Sequence, residues 1–171
     1  VTGLKERNFA GVGRHIDFGI NTSENRNYYN FDITEPYILN RNLSFIYGIN
    51  YSELDYGESA SYNLTNFSTK TGFKYLLSND LDHMITLEYS LKDYTITNSS
   101  TASDDIKNLS GGNADIYLKN SLIYNKLNSF IRPTKGSYLN FRNVFSPITN
   151  SDNGSIRNTL THRKYLKYDS N

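Results

Sequence analysis

The sequence predicts an all-β protein, an antiparallel up-and-down transmembrane β-barrel with about eight strands in this chain. Apolar and polar residues alternate along most of the 171 residues, whereas helical periodicity is nearly absent. Most of the alternating segments run about ten residues or more, which suffices to cross a membrane when tilted. Polar loops alternate with tighter turns between them, as in barrels that carry short turns at one end and longer loops at the other.

The first four predicted strands each place large apolar residues at alternate positions, so that one face is apolar. These positions are Ile16, Phe18 and Ile20 in 9–21; Tyr29, Phe31 and Ile33 in 28–34; Leu43, Phe45, Tyr47, Ile49 and Tyr51 in 43–54; and Phe67, Phe73, Tyr75 and Leu77 in 66–77. Polar loops are expected at 21–27 and 55–61. Shorter turns are expected at 35–42 and 78–80.

The last four predicted strands cover 83–97, 114–126, 137–147 and 155–168, and the eighth is the least regular. Their apolar positions include Ile85, Leu87, Tyr89 and Leu91 in the fifth strand, and Ile116, Leu118, Leu122 and Tyr124 in the sixth. A long polar loop is expected at 98–113, a compact turn at 132–136 and a further loop at 149–154. The whole of 1–171 is interpreted as one partial barrel domain.

Composition narrows the class of protein. The mean hydropathy is -0.61, and no stretch approaches the ~20 apolar residues of a spanning helix, which excludes a helical membrane protein. A net charge of +1 leaves no basic footprint for nucleic acid. The absence of cysteine excludes a disulfide framework and a cysteine zinc site.

Tyrosine is abundant, with 15 residues, and several tyrosines lie near the ends of predicted strands. They are Tyr28, Tyr37, Tyr56, Tyr62, Tyr94 and Tyr138. Such positions are typical of the aromatic girdle that barrels place at the membrane interfaces. A soluble β-rich protein also uses tyrosine for its strand propensity, so this reading stays open.

Catalytic chemistry is not indicated. His15, His83 and His162 lie in different predicted strands, and none forms the i, i+4 pair of a helical zinc site. The sequence holds no nucleophile-elbow motif. Asp104 and Asp105 could bind calcium, although a solvated loop explains them better. We therefore expect neither an enzyme nor a bound cofactor.

Three short motifs carry a family resemblance, and they occur in the expected order. Asn8-Phe9-Ala10-Gly11-Val12-Gly13 resembles the Asn-aromatic-Leu-Gly-Thr-Gly segment that opens the first barrel strand of the Omp85 family. Thr34-Glu35-Pro36-Tyr37 resembles the Thr-x-Pro-Tyr that closes its second strand at the periplasmic side. Pro133-Thr134-Lys135-Gly136-Ser137 resembles a later Pro-Thr-x-Gly turn.

The resemblance has departures, since Ala10 stands where the family has leucine and Val12 where it has threonine. POTRA domains, an Arg-Gly-Phe loop motif and a closing strand do not occur in these residues. The first residue is Val1, and the chain stops at Asn171 within a strand-like pattern, so we expect a piece of a longer protein. The resemblance implies the N-terminal half of a barrel of about sixteen strands, which would expose two unpaired edges if it stood alone.

The resemblance further implies a factor that assembles proteins into the bacterial outer membrane. Its first strand would be an edge that pairs with an incoming strand, and glycines would keep this edge loose or merely relieve crowding at a seam. The residues of that expected edge are Phe9, Gly11, Gly13, Arg14, His15, Ile16, Asp17, Phe18, Gly19, Ile20 and Asn21. The expected periplasmic turns are Glu35, Pro36 and Tyr37, and Arg132, Pro133, Thr134, Lys135 and Gly136.

The implied partners are nascent outer-membrane β-barrel proteins, outer-membrane lipid and lipoproteins of an assembly machine. On the first strand, Ile16, Phe18 and Ile20 would meet lipid, while His15 and Asp17 would face the lumen. Two alternatives remain open. One is another outer-membrane barrel, either a porin or a passive translocator. The other is a soluble β-rich adhesion module that buries its apolar faces between two packed sheets.

Overall fold

The computed structural model describes residues 2–129, 131–148 and 154–166. They form one antiparallel sheet of nine strands, in which each strand pairs with the next in chain order. The strands are β1 (Thr2–Phe9), β2 (Arg14–Ser23), β3 (Arg26–Glu35), β4 (Leu43–Tyr56), β5 (Tyr62–Ser78), β6 (Leu81–Ile96), β7 (Gly111–Leu127), β8 (Gly136–Ile148) and β9 (Ser155–Tyr165). This up-and-down order confirms the predicted fold class.

Short helical segments occupy three of the connections. A 3-10 turn, Ile38–Asn40, lies between β3 and β4, while α1 (Gly57–Ala60) joins β4 to β5 and α2 (Asp104–Leu109) joins β6 to β7. Within the described ranges, none of the helices has the length and apolar character needed to cross a membrane. We call the end with the β1–β2, β3–β4, β5–β6 and β7–β8 connections the turn end, and the opposite end the loop end.

The first predicted strand, 9–21, is wrong, because the structure breaks it into two strands. Ala10, Gly11 and Gly13 have φ values of 59°, 75° and 75°, which end β1 at Phe9. The Gly11 N–H donates to the Asn8 carbonyl at 2.9 Å, and the Gly13 N–H donates to Asn8 Oδ1 at 2.7 Å. The glycine-rich motif is therefore a hairpin turn, and the sheet has nine described strands instead of about eight.

Two predicted loops are shorter in the structure. The polar loop at 21–27 is mostly strand, since β2 ends at Ser23 and β3 begins at Arg26. The loop at 98–113 contains α2, and β7 already begins at Gly111. Positions 149–153 of the predicted 149–154 loop, and 167–168 of the predicted eighth strand, lie outside the described residues.

The two faces of the sheet differ sharply in polarity. Residues that lie opposite one another on neighbouring strands form rows across the sheet. One such row, Phe18, Phe31 and Ile49 on β2–β4, places large apolar residues on one face. The other face carries ion pairs between Lys5 and Asp17 (2.8 Å), Lys70 and Asp32 (2.6 Å), Lys92 and Asp115 (2.8 Å), and Lys119 and Glu88 (2.6 Å). A cavity of about 590 Å³ opens on this ion-paired face, which is therefore the inner one.

Burial is inverted relative to a soluble protein. Ala102 is the single buried apolar residue in the described ranges, and the buried polar residues include Ser68, Ser90 and Ser121. Large apolar residues stay exposed, among them Leu4 at 63%. One sheet with an uncovered apolar face is what a membrane barrel needs, and it does not match two sheets packed on a shared core.

The predicted aromatic girdle is wrong for most of its tyrosines. Strand alternation and register place Tyr28, Tyr56, Tyr62, Tyr94 and Tyr138 on the inner side, where the Tyr28 hydroxyl donates to Asn50. Other tyrosines take the outer positions near the strand ends. They are Tyr29 and Tyr51, with ring centroids 6.1 Å apart, towards the loop end, and Tyr75 and Tyr124 towards the turn end.

Candidate functional site at the first strand

Strand β1 pairs on one side only among the described residues. Its partner is β2, with Leu4 opposite Phe18 and Lys5 opposite Asp17, and the register slips between Glu6 and Phe9. All eight residues of β1 are exposed. The other side of β1 thus offers backbone N–H and C=O groups that an additional strand could pair with.

The structure moves the candidate edge from the predicted residues to β1. The segment from Arg14 to Asn21 lies in β2, which pairs with β1 on one side and with β3 on the other. Its backbone is therefore not open to a further strand. Of the predicted edge residues, Phe9 belongs to β1, while Gly11 and Gly13 belong to the turn that follows.

The predicted faces of β2 agree with the structure. Ile16, Phe18 and Ile20 lie on the apolar outer face, in register with Ile33, Phe31 and Tyr29 of β3. His15 and Asp17 alternate with them and face inward, and Gly19 shares their side. A Cβ on Gly19 would collide with the Asn30 side chain, so this glycine allows close contact between β2 and β3.

Two turns meet at the turn end, the unpredicted turn between β1 and β2 and the predicted turn after β3. Arg14 Nε and Glu35 Oε2 form an ion pair at the start of β2 and the end of β3. A Cβ on Gly13 would lie 3.5 Å from Pro36 Cγ, so the first turn packs against the second. Tyr37 follows with a φ of 58° and is 65% exposed.

The other predicted turn, which contains Arg132, Pro133 and Thr134, lies between β7 and β8, apart from these two. Asn128 Oδ1 accepts the N–H groups of Thr134 and Lys135, both at 3.0 Å, and holds the turn closed. Gly136 has a φ of 117°, and a Cβ there would collide with the Lys126 carbonyl. Sequence reasoning missed Asn128, although an asparagine ahead of a Pro-Thr-x-Gly turn is a recognisable cap.

The apolar band on the outer face narrows from β4 towards β1. Strand β4 has five successive outward apolar positions, from Leu43 to Tyr51, which span about 27 Å along the strand. Strand β2 has three, from Ile16 to Ile20, which span about 13 Å. Strand β1 has Leu4 between the polar outward residues Thr2 and Glu6, and beyond the register slip it has Phe9 opposite the outward Arg14, so its outward apolar positions are not contiguous.

At the turn end, the narrow apolar band on β2 and β3 ends at a pair of charged residues. The Arg14–Glu35 ion pair occupies the outward positions of β2 and β3. The next strands carry Phe45 and Phe73 in the same register row, with ring centroids 5.7 Å apart. An outward ion pair therefore replaces an aromatic row next to the candidate edge.

Comparison with known proteins identifies the family. A sequence profile described as the Omp85 superfamily domain matches residues 8–171. The chain belongs to the Omp85 superfamily. This Omp85 chain is also similar in fold to a solved structure, the crystal structure of BamA from Haemophilus ducreyi lacking POTRA domains 1-3, with a TM-score of 0.69 and 20% identity.

The similarity to that structure covers 86% of this chain and 31% of the other one. The Omp85 chain thus spans about a third of the solved relative. No curated protein matches it. The family profile begins at residue 8, so most of β1 precedes the matched region, and a reading based on family motifs alone misses this strand.

Proposed function

We propose that this part of the Omp85 protein templates the insertion of β-barrel proteins into the bacterial outer membrane, with β1 as the receiving edge. The observation that carries the proposal is the coincidence of two features on one strand. Strand β1 has an open side among the described residues, and it lies where the apolar band is narrowest. Neither feature involves covalent chemistry, so the proposed activity is strand pairing and not catalysis.

Backbone pairing supplies the driving force for this function. An unpaired N–H or C=O group in hydrocarbon costs several kcal/mol, so an incoming strand gains most when a partner edge receives it directly. The eight residues of β1 can offer that edge in the manner of β-strand addition. Because β1 has few apolar side chains, its pairing would accept strands of many sequences.

The narrow band would act on the lipid. The apolar stretch of about 13 Å along β2 is about 10 Å high once the strand is tilted by about 45°, against about 25 Å for a typical barrel. Such a difference in height would thin the bilayer beside the edge. A thinner bilayer lowers the barrier for polar loops that must cross with a new hairpin. The Arg14–Glu35 pair would set the periplasmic limit of this thin zone.

The proposed partners are nascent outer-membrane β-barrel proteins, outer-membrane lipid and lipoproteins of an assembly machine. Lipoproteins would dock on the periplasmic turns, where the exposed Arg132 and Lys135 offer positive charge and Tyr37 an exposed ring. The turn with Tyr37 and the turn with Arg132 and Lys135 are four strands apart, so each would contact a different lipoprotein.

Cysteine crosslinking of the full-length protein in membranes tests the edge. This chain has no native cysteine, so single cysteines can be placed at Lys5 in β1, Gly19 in β2 and Ile49 in β4. We expect a substrate barrel with a cysteine in its last strand to crosslink to Lys5→Cys alone. Equal crosslinking from Gly19→Cys would overturn the assignment to β1.

The same experiment separates the proposal from a porin or passive translocator. If no position in β1 crosslinks while the protein conducts solutes across vesicles, passive transport replaces assembly as the function. Retained insertion activity without crosslinks from β1 would move the receiving edge elsewhere. Each result is read in folded protein, identified by its resistance to unfolding in detergent.

A further inference from the structure

Three asparagines form a row on the outer face of β7–β9. Asn120 lies opposite Asn143, and Asn143 lies opposite Asn158. Asn143 Nδ2 donates to Asn158 Oδ1 at 2.7 Å, which places both amides on one side of the sheet. Lys119 binds Glu88 and Ser121 donates to Asn140 on the inner face, so strand alternation and the register with Asn143 place the side chain of Asn120 on the outer face.

The asparagine row lies in the middle of the apolar band and not at its edge. Leu118, Phe145 and Ile156 form the outward row on its loop side, and Leu122, Phe141 and Leu160 form the outward row on its turn side. Two apolar rows would therefore place the amides at the depth of the acyl chains. A polar row at this depth needs a partner that the band itself does not supply.

Among the residues that the structure describes, most of the hydrogen-bonding capacity of the row has no partner. Each amide has two N–H donors and one carbonyl acceptor, and the bond from Asn143 to Asn158 uses one donor and one acceptor. In the described part of the chain, the side chain of Asn120 has no hydrogen-bond partner. Small polar ligands that both donate and accept hydrogen bonds match the unpaired amide N–H and C=O groups, and water is such a ligand that a bilayer can provide.

A second copy of the chain fits the row less well. Barrel strands tilt by about 45°, so the row, which runs across the strands, is also inclined to the membrane plane. A two-fold axis along the membrane normal would present the partner's row at the opposite inclination. The two rows would cross at one amide and leave the others facing lipid.

We propose that the asparagine row, Asn120, Asn143 and Asn158, binds water and the polar ester groups of phospholipids within the apolar band, and thins the bilayer against β7–β9. This would be a second perturbed zone, several strands away from β1. The inference requires only that the outer face meets lipid. It does not depend on templating by β1.

The test uses the full-length protein reconstituted in phospholipid vesicles. An environment-sensitive fluorophore is attached to Phe141→Cys, beside the row, and in a second sample to Leu87→Cys, which has apolar outward neighbours on β6. We expect red-shifted emission at 141 relative to 87. The triple variant N120L/N143L/N158L should remove the shift and reduce leakage of a trapped dye in the absence of any substrate.

A matched control replaces an amide on the opposite face of the same strand. Asn140 accepts a hydrogen bond from the Ser121 hydroxyl on the inner side, so Asn140→Leu should leave the emission at 141 unchanged. The proposal would be overturned if the emission maxima at 141 and 87 were equal in the protein with the native asparagine row. It would also be overturned if the red shift at 141 persisted in the triple variant. Efficient disulfide-linked dimers of Asn143→Cys, together with blue-shifted emission at 141, would also overturn the proposal, because they would show that a second protein covers the row.

Discussion

Ala10 sits in the first turn with a φ of 59°, a conformation in which a Cβ is crowded by its own backbone. Gly11 and Gly13, which follow it, have no such penalty, although each has a φ of 75°. The side chain of Asn8 then fixes the turn by accepting the Gly13 N–H. The position of the edge strand is thus set by four residues that contribute almost nothing to the apolar band.

Substitutions in this turn should change stability in opposite directions. Gly13→Ala should lower the free energy of unfolding by about 1 kcal/mol, because it forces a Cβ into the left-handed region. Ala10→Gly should raise it by about 0.5 kcal/mol for the converse reason. Urea midpoints of the full-length barrel measure both. As a control, Ala114→Gly in strand β7 should destabilise, and stabilisation by all glycine substitutions alike would contradict this account.

Gly48 has a different task, on the inner face of β4. A Cβ at this position would lie 2.5 Å from Lys70 Cε and closer still to Asp32 Oδ1. The glycine therefore leaves the gap through which Lys70 reaches from β5 across β4 to Asp32 on β3. The ion pair is half-buried, so its loss leaves two poorly solvated charges.

Gly48→Val should destabilise the barrel by about 1–3 kcal/mol, since the new side chain displaces Lys70 from Asp32. The measurement is the urea or heat midpoint of unfolding in detergent. Ser44→Val, on the same inner face of β4, adds apolar volume without touching this pair and should cost much less. Equal losses from both substitutions would mean that the ion pair contributes nothing specific.

At the scale of a strand, the decisive property of β1 is the direction of its backbone groups. Neighbouring residues of an antiparallel strand direct their N–H groups alternately towards the partner and away from it. One of Leu4 and Lys5 thus donates towards β2, and the other donates towards the open side. Proline at each position removes one N–H and separates the two roles.

We expect Leu4→Pro and Lys5→Pro to behave differently. The substitution that removes the N–H on the open side should leave thermal stability nearly unchanged and abolish crosslinking of β1 to a substrate strand. The other should loosen β1 from β2 and lower the stability. Crosslinking yield and the unfolding midpoint are measured on the same preparations. If both variants keep full crosslinking, β1 does not receive substrate strands by backbone pairing.

Strand alternation in the sequence was sufficient to predict the long strands. The prediction of 43–54 differs from β4 by two residues, because five outward apolar residues alternate without interruption. The prediction of 9–21 failed because alternation does not register a turn of a few residues with positive φ. The girdle failed at Tyr28 because the next residue, Tyr29, faces outward, and proximity to a strand end does not determine the face.

The open edge could not be predicted from the sequence for a further reason. Whether a strand has one neighbour or two depends on pairing along the whole sheet and not on local pattern. Residues 14–21 carry the stronger alternation, yet they lie between two partners. Strand β1, whose outward apolar residues Leu4 and Phe9 are separated by a register slip, has too weak a pattern to be recognised alone.

At the scale of the whole molecule, the outer band is uneven, with five successive apolar positions on β4 and only the separated Leu4 and Phe9 on β1. The extent of the apolar band can be changed by substitutions on β2 and β3 that leave the backbone of β1 unaltered. The double variant R14L/E35L replaces the outward ion pair by apolar side chains and extends the bands of β2 and β3 by one position each.

We expect R14L/E35L to slow the insertion of substrate barrels, because a wider band relieves the local thinning of the bilayer. The slowing should be larger in vesicles of long-chain lipids than in those of short-chain lipids. Insertion is followed as protease protection of a substrate. The control K119L/E88L makes the same exchange on the inner face and should not show this dependence on lipid length. Identical behaviour of both double variants would contradict a role for band width.

Burial of small polar residues and exposure of large apolar ones has one more consequence. In a soluble protein, leucine and phenylalanine side chains are the tightly packed medium that excludes water from the fold. Here that medium is outside the polypeptide and consists of fatty acyl chains, while Ala102 is the single apolar residue buried in the described ranges. A change in the acyl composition of the host membrane is therefore equivalent to mutating the interior of a soluble protein at many positions at once.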